Sequence, residues 1–69
     1  MAPVATIQIK PEGRGSWHWL TSDCALVGPS KSLFAAMMDV DTAQRVADAI
    51  REEYPADIVR VRVDGRVAR

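Results

Sequence analysis

Residues 41–55 carry the one clear amphipathic helix pattern of the chain. Asp41-Thr42-Ala43-Gln44 reads as a capping box, with Asp41 as N-cap and Gln44 three residues on. Ala43, Val46, Ala47, Ile50 and Tyr54 then recur at steps of three and four and make one apolar stripe. Arg45, Asp48, Arg51 and Glu52 fall on the opposite side, and Pro55 ends the helix because it has no N–H to donate. One helix cannot cover both faces of a sheet. Whatever strands the rest of the chain supplies must therefore form a sheet with one helix-covered face and one open face.

The strands are read from period two. In VATIQIK (4–10), Ala5, Ile7 and Ile9 share one face, and Thr6, Gln8 and Lys10 share the other. PEGRG is a turn, and SWHWLT (16–21) reads as a second strand joined to the first as a hairpin. Ala25 to Val27 is able to extend a strand before Gly28-Pro29-Ser30 breaks it. The apolar run SLFAAMM is taken as a third strand ending near Met38. DIVRVRV is the strongest strand, with Val59, Val61 and Val63 on one face and Ile58, Arg60 and Arg62 on the other. Asp64-Gly65 suits a two-residue hairpin turn. Folding RVAR back would set Arg66 beside Val63 in the valine row, so residues 66–69 either pair or fray. The expected order is β-β-β-α-β. That is an α+β fold, a small antiparallel sheet with one helix packed on one face, in a two-layer sandwich. The helix joins strands that are neighbours or are separated by one strand.

Sixty-nine residues make a single domain, 1–69. A chain this short buries only about 60% of its unfolded surface, and its one cysteine forms no internal staple. Bulk is scarce. The two tryptophans, Phe34 and Tyr54 are the only large rings, and the core is expected to claim most of them. Nine Lys and Arg balance nine Asp and Glu. Zero net charge removes the simplest reason for nonspecific attraction to nucleic acid or membranes, and favours a protein partner or self-association. No run approaches the roughly 20 apolar residues of a membrane span. MAPVATIQIK lacks the basic start and long apolar stretch of a secretion signal. A lone Cys24 suits a reducing compartment, so the expected location is the cytoplasm, with no membrane.

Catalytic motifs are weak. Ser16, His18 and Cys24 lie close in sequence, but nothing supplies a group to orient the histidine or an oxyanion site. Four Cys or His ligands for structural zinc are not present. GPSKS lacks the glycines of a phosphate-binding loop and reads as a surface turn. Asp39 and Asp41 have the spacing of a calcium loop without its remaining ligands, and capping accounts for Asp41. Glu52 and Glu53 belong to a solvated helix end. The expectation is a non-enzymatic protein with no cofactor and no metal.

Trp17 and Trp19 share a strand face, and so do Arg60 and Arg62. Should the two faces coincide on the side away from the helix, rings would lie beside guanidinium groups, as on sheet platforms that bind single-stranded nucleic acid. Should the tryptophans face the helix, they are core against Val46, Ile50 and Tyr54, and His18 and Leu20 turn outward with Arg60 and Arg62. The shortage of other bulky residues favours the core placement. The candidate partner-binding residues are then Lys10, His18, Arg60 and Arg62.

The stretch MMDVDTAQRVADAIREEYPADIVRVRV, preceded by the aromatic strand WHWLTSD, resembles small phage and mobile-element proteins built as a short sheet plus one helix, among them several anti-CRISPR proteins. The resemblance implies an inhibitor that binds a host defence complex, a CRISPR effector above all, and blocks nucleic-acid entry or nuclease recruitment. No site residues follow from it, because such inhibitors share no common site. Two other classes stand beside it. One is a nucleic-acid-binding module using Trp17, Trp19, Arg60 and Arg62. The other is a structural or assembly protein, a homodimer or larger homo-oligomer, joined through an open sheet edge.

Overall fold

The structure, a computed structural model, describes residues 3–63 and 66–67. Its elements are strands Val4–Lys10 (β1), His18–Leu20 (β2), Leu26–Val27 (β3) and Met38–Asp39 (β4), the helix Val40–Glu53 (α1), and strands Ile58–Val63 (β5) and Arg66–Val67 (β6). Short 3-10 turns cover Pro11–Gly13 and Ser32–Phe34. The sheet runs β3-β2-β1-β5-β6, all antiparallel, and β4 pairs with the start of β1. This is the expected α+β architecture, one helix on an antiparallel sheet. The helix connects β4 to β5, and β1 lies between them.

The two best-patterned strands find each other. β1 and β5 pair over their whole usable length, from Ala5 opposite Val63 to Lys10 opposite Ile58. Residues directly opposite in an antiparallel pair share a face. Ala5, Ile7 and Ile9 therefore line up with Val63, Val61 and Val59, and this row faces the helix. Ala43 and Ala47 of α1 meet it, and both are fully buried. With Leu20 these residues form the core, while Val46, Ile50, Val63, Val40 and Met38 pack around it half-buried.

None of the large rings is in that core. Trp17 and Trp19 are half-buried, and Phe34 and Tyr54 are 62% and 55% exposed. The expectation that the core claims them is corrected by the alanines. Two alanines facing Ala5, Ile7 and Val61 let the helix approach the sheet closely, and the gap holds methyls and branched aliphatics but not an indole. Tyr54 is correspondingly the helix C-cap, at the exposed end of the stripe.

The helix also begins earlier than its sequence suggests. The N-cap is Asp39, not Asp41; its carboxylate accepts from Thr42 N at 3.0 Å and from the Thr42 hydroxyl at 2.6 Å. Pairing of Asp39 with Val4 places the helix start, so Val40 becomes the first helical residue and Asp41 falls in the first turn. There its charge still suits the positive helix end. The stretch 32–38 is not one strand. Ser32–Phe34 is a 3-10 turn, and only Met38–Asp39 joins the sheet. The third strand in chain order is instead Leu26–Val27, opposite Leu20 and Trp19. At the other end Arg66–Val67 pairs back on β5, with Val63 opposite Arg66. The expected Asp64-Gly65 turn and residues 68–69 lie outside the described residues.

Two outcomes follow. Ala47→Leu inserts bulk at a fully buried helix–sheet contact and should destabilise by about 1–3 kcal/mol in chemical denaturation, whereas Ala49→Leu on the exposed face should change little. The Thr42 side-chain bond, then the Thr42 backbone bond, holds the Asp39 carboxyl below its ordinary value of 3.8. The folded-state pKa is depressed, so the cap contributes fully above 3.8 and its contribution disappears as pH falls through the lower folded value. Asp39→Ala should therefore lower the melting temperature at pH 7 and flatten the loss of stability on acidification, while Asp41→Ala should do so much less.

Candidate functional site

The sheet face away from the helix is assembled by the same register. Gln8 pairs with Trp19 on one side and Arg60 on the other, so the three share one row on that face. Thr6, Lys10, Trp17, Ile58 and Arg62 occupy the alternate positions around it. The tryptophans and arginines thus coincide, and the expectation that Trp17 and Trp19 pack beneath the helix is overturned. The corollary is overturned with it. Ile9 pairs with His18, which puts His18 on the helix side of the sheet, and Leu20 is buried there. His18 does not share a face with Lys10, Arg60 and Arg62; its Nδ1–H donates to the Ser16 carbonyl at 2.9 Å.

The hairpin loop decides which way the rings point. Glu12, Gly13 and Gly15 adopt positive φ values of 55°, 68° and 76°. The last two are places where glycine carries no Cβ penalty. A loop with this left-handed content delivers the chain into β2 with its indoles opposite the alanine-lined side. Glu12 N–H donates to Asp57 Oδ1 at 2.8 Å and ties the loop to the start of β5.

The face is a ladder of cations on rings. The Arg60 guanidinium lies 4.0 Å from the centre of the Trp17 ring, and Lys10 Nζ lies 4.9 Å from the same centre. Arg62 lies 5.7 Å from the centre of the Trp19 ring. All three are within the range of cation–π attraction. Gln8 is only 4% exposed, and its Oε1 accepts from Arg60 Nε at 2.7 Å, with Arg62 Nη1 at 3.5 Å. Trp19 Nε1 donates to the Pro29 carbonyl at 3.1 Å and is held at the loop side.

Electrostatically the face is positive. Neither Lys10 nor Arg60 has an ion-pair partner among the described residues. Burial first, and Arg62 second, hold Arg60 below the ordinary arginine value, yet arginine keeps its proton in proteins. Among the described strand positions on this face, Asp39 beside Val4 is the one acid, and it is engaged in capping. A guanidinium stacked on a ring uses its flat face and leaves its N–H edge for oxyanions in bidentate geometry. Half-buried indoles add stacking surface. The arrangement suits a ligand that is both anionic and planar.

Sequence reading named Lys10, Arg60 and Arg62 and missed Gln8. Its signal was an amide between Thr6 and Lys10 on the outward side of a strand destined for the sheet centre. Cys24 is exposed with φ 61°. No group of three or more metal-ligating side chains occurs among the described residues, and no helix among them is long and apolar enough to cross a membrane. No protein-family model, curated protein or solved structure matches the chain.

Gln8→Leu keeps the side-chain size but removes the acceptor that orients Arg60. A buried hydrogen bond to a charged group is worth about 1.5–3 kcal/mol, and urea denaturation should show a loss of that order. Tryptophan emission should move as the guanidinium groups leave the rings.

Proposed function

We propose that this protein is a binding module that engages single-stranded nucleic acid on its helix-free sheet face. One observation carries the reading: Trp17 and Trp19 lie on the same face as Lys10, Arg60 and Arg62. Stacked guanidinium edges suit phosphate oxygens, and half-exposed indoles suit unpaired bases, which duplexes keep stacked inside. The zero net charge does not oppose it, because the cations gather on one face. β2 and β5 are separated by β1 alone, so the cationic and aromatic groups span roughly 10 Å across the sheet. That width suits a short segment of a few nucleotides.

Short single strands should quench tryptophan fluorescence, with weaker binding to a duplex of the same length. If three cations take phosphates, log K should fall with log salt with a slope near −2, from about −0.7 per phosphate on single strands. Arg60→Glu with Arg62→Glu should lower stability through loss of the Gln8 bond and abolish binding by the protein that circular dichroism shows to be folded. A folded double mutant that binds as well as the wild type would remove this face from the reading.

A second reading, the phage-type inhibitor that docks on a host CRISPR effector, is favoured by a different observation. Leu33, Phe34 and Met37 are 96%, 62% and 77% exposed in one short connector. Apolar groups gathered this way mark protein-interaction surfaces. In that reading Phe34→Ser with Met37→Ser abolishes capture of a guide-loaded effector, and the arginine double mutant does not.

A further inference from the structure

On the helix side of the sheet, opposite the cationic face, lies a groove of about 480 Å³. Its walls are Ile9, Leu20 and Leu26 from β1, β2 and β3, and Val46 and Ile50 from α1. Glu53, Tyr54 and Asp57 line it beside the end of α1, and Cys24 lines it as well. The groove exists because α1 meets the sheet through β1 and β5. Beyond them the cover is thinner: the Ser32–Phe34 turn contacts β2 and Leu20 is buried, but Leu26 of β3 stays 41% exposed.

The acidic end runs against helix electrostatics. The C-terminus of a helix is its negative end, where basic side chains are favoured, yet α1 finishes with Glu52 and Glu53. Arg51, the base of the last turn, is directed elsewhere. Its Nη1 pairs with Asp48 at 2.9 Å, and its Nη2 donates to the Val59 carbonyl at 2.7 Å. Asp57 lies beside the helix end, its N–H bonded to the Tyr54 carbonyl at 3.0 Å. No basic side chain lines the groove. An apolar trough thus carries two carboxylates beside the negative pole of a helix.

We infer that this groove docks an extended peptide segment of a protein partner, one that carries a large apolar or aromatic side chain next to a lysine or arginine. The apolar side chain fills the space between Leu20, Leu26 and Ile50, and the cation meets Glu53 and Asp57. A peptide fits better than an enclosed small molecule for two reasons. Leu26 and Tyr54, at 41% and 55% exposed, leave the walls open to solvent. β3 is also the outermost strand of the sheet at this end, and an open strand edge offers main-chain hydrogen bonds to an extended chain. The groove is separated from the tryptophan–arginine face by the sheet itself, so the inference does not rest on nucleic-acid binding.

The test is an NMR titration of the isotope-labelled full chain with three capped tripeptides, Lys-Phe-Lys, Glu-Phe-Glu and Lys-Ala-Lys. Lys-Phe-Lys should shift the resonances of Leu20, Leu26, Val46, Ile50 and Tyr54, leave the Trp17 and Trp19 indole signals in place, and bind in the region of about 1 mM. The other two should be at least about tenfold weaker. Glu53→Lys should weaken Lys-Phe-Lys by a similar factor, and this variant should fold, since a cation suits a helix C-terminus. Absence of shifts, equal binding of Glu-Phe-Glu, indifference to Glu53→Lys, or shifts confined to the indoles would each overturn the assignment. Phenethylamine binding as tightly as Lys-Phe-Lys would overturn it in favour of a small amine.

Discussion

The pairing of β1 with β5 is the constraint on which the rest of this molecule depends. Six opposed pairs, Ala5–Val63 through Lys10–Ile58, lock two alternating strands in one register. The side-chain period is two, so a slip of one residue would bring Gln8 under the helix and turn Ile7 out. In the observed register Ile7 and Val61 are fully buried against Ala43 and Ala47. The same pairing brings Arg60 beside Gln8 on the other face. Core and candidate site are two consequences of one ladder.

The two faces solve the covering problem with different materials. The core on the helix side is aliphatic, built from residues small enough for a close helix approach. The other side has no helix, yet Gln8 at its centre is nearly as buried as the core. Indole rings and arginine stems shield it, since both carry large apolar bodies with polar ends. A domain with so little bulk can use its tryptophans as this second layer because alanine, valine and isoleucine suffice for the first. Stacking and the Gln8 bond together orient the guanidinium groups.

Charge is divided between the same two sides. Nine basic and nine acidic residues cancel over the whole chain, but Lys10, Arg60 and Arg62 gather on the helix-free face while Glu53 and Asp57 line the apolar groove opposite. The two sides therefore differ in character, one cationic and the other acidic at the helix end of its groove. A balance computed over the whole sequence averages away the feature that separates them.

Much of the fold was legible in the chain itself. Periodicity marked β1, α1 and β5, because each buries one face and repeats its apolar residues at the spacing of its own geometry. The outward placement of Arg60 and Arg62 followed from the valine row. Other features depended on contacts distant in sequence. Asp39 and Asp41 are both competent caps, and only the pairing of Asp39 with Val4 selected the first. Met37 and Met38 look alike, yet one is exposed and the other packs on the core at the edge of β1. The direction of Trp17 and Trp19 was the largest such decision. Their alternation set them on a common face, but which face depended on the left-handed turns of the loop at residues 12–15 and on a helix surface of alanines too close to the sheet to admit a ring.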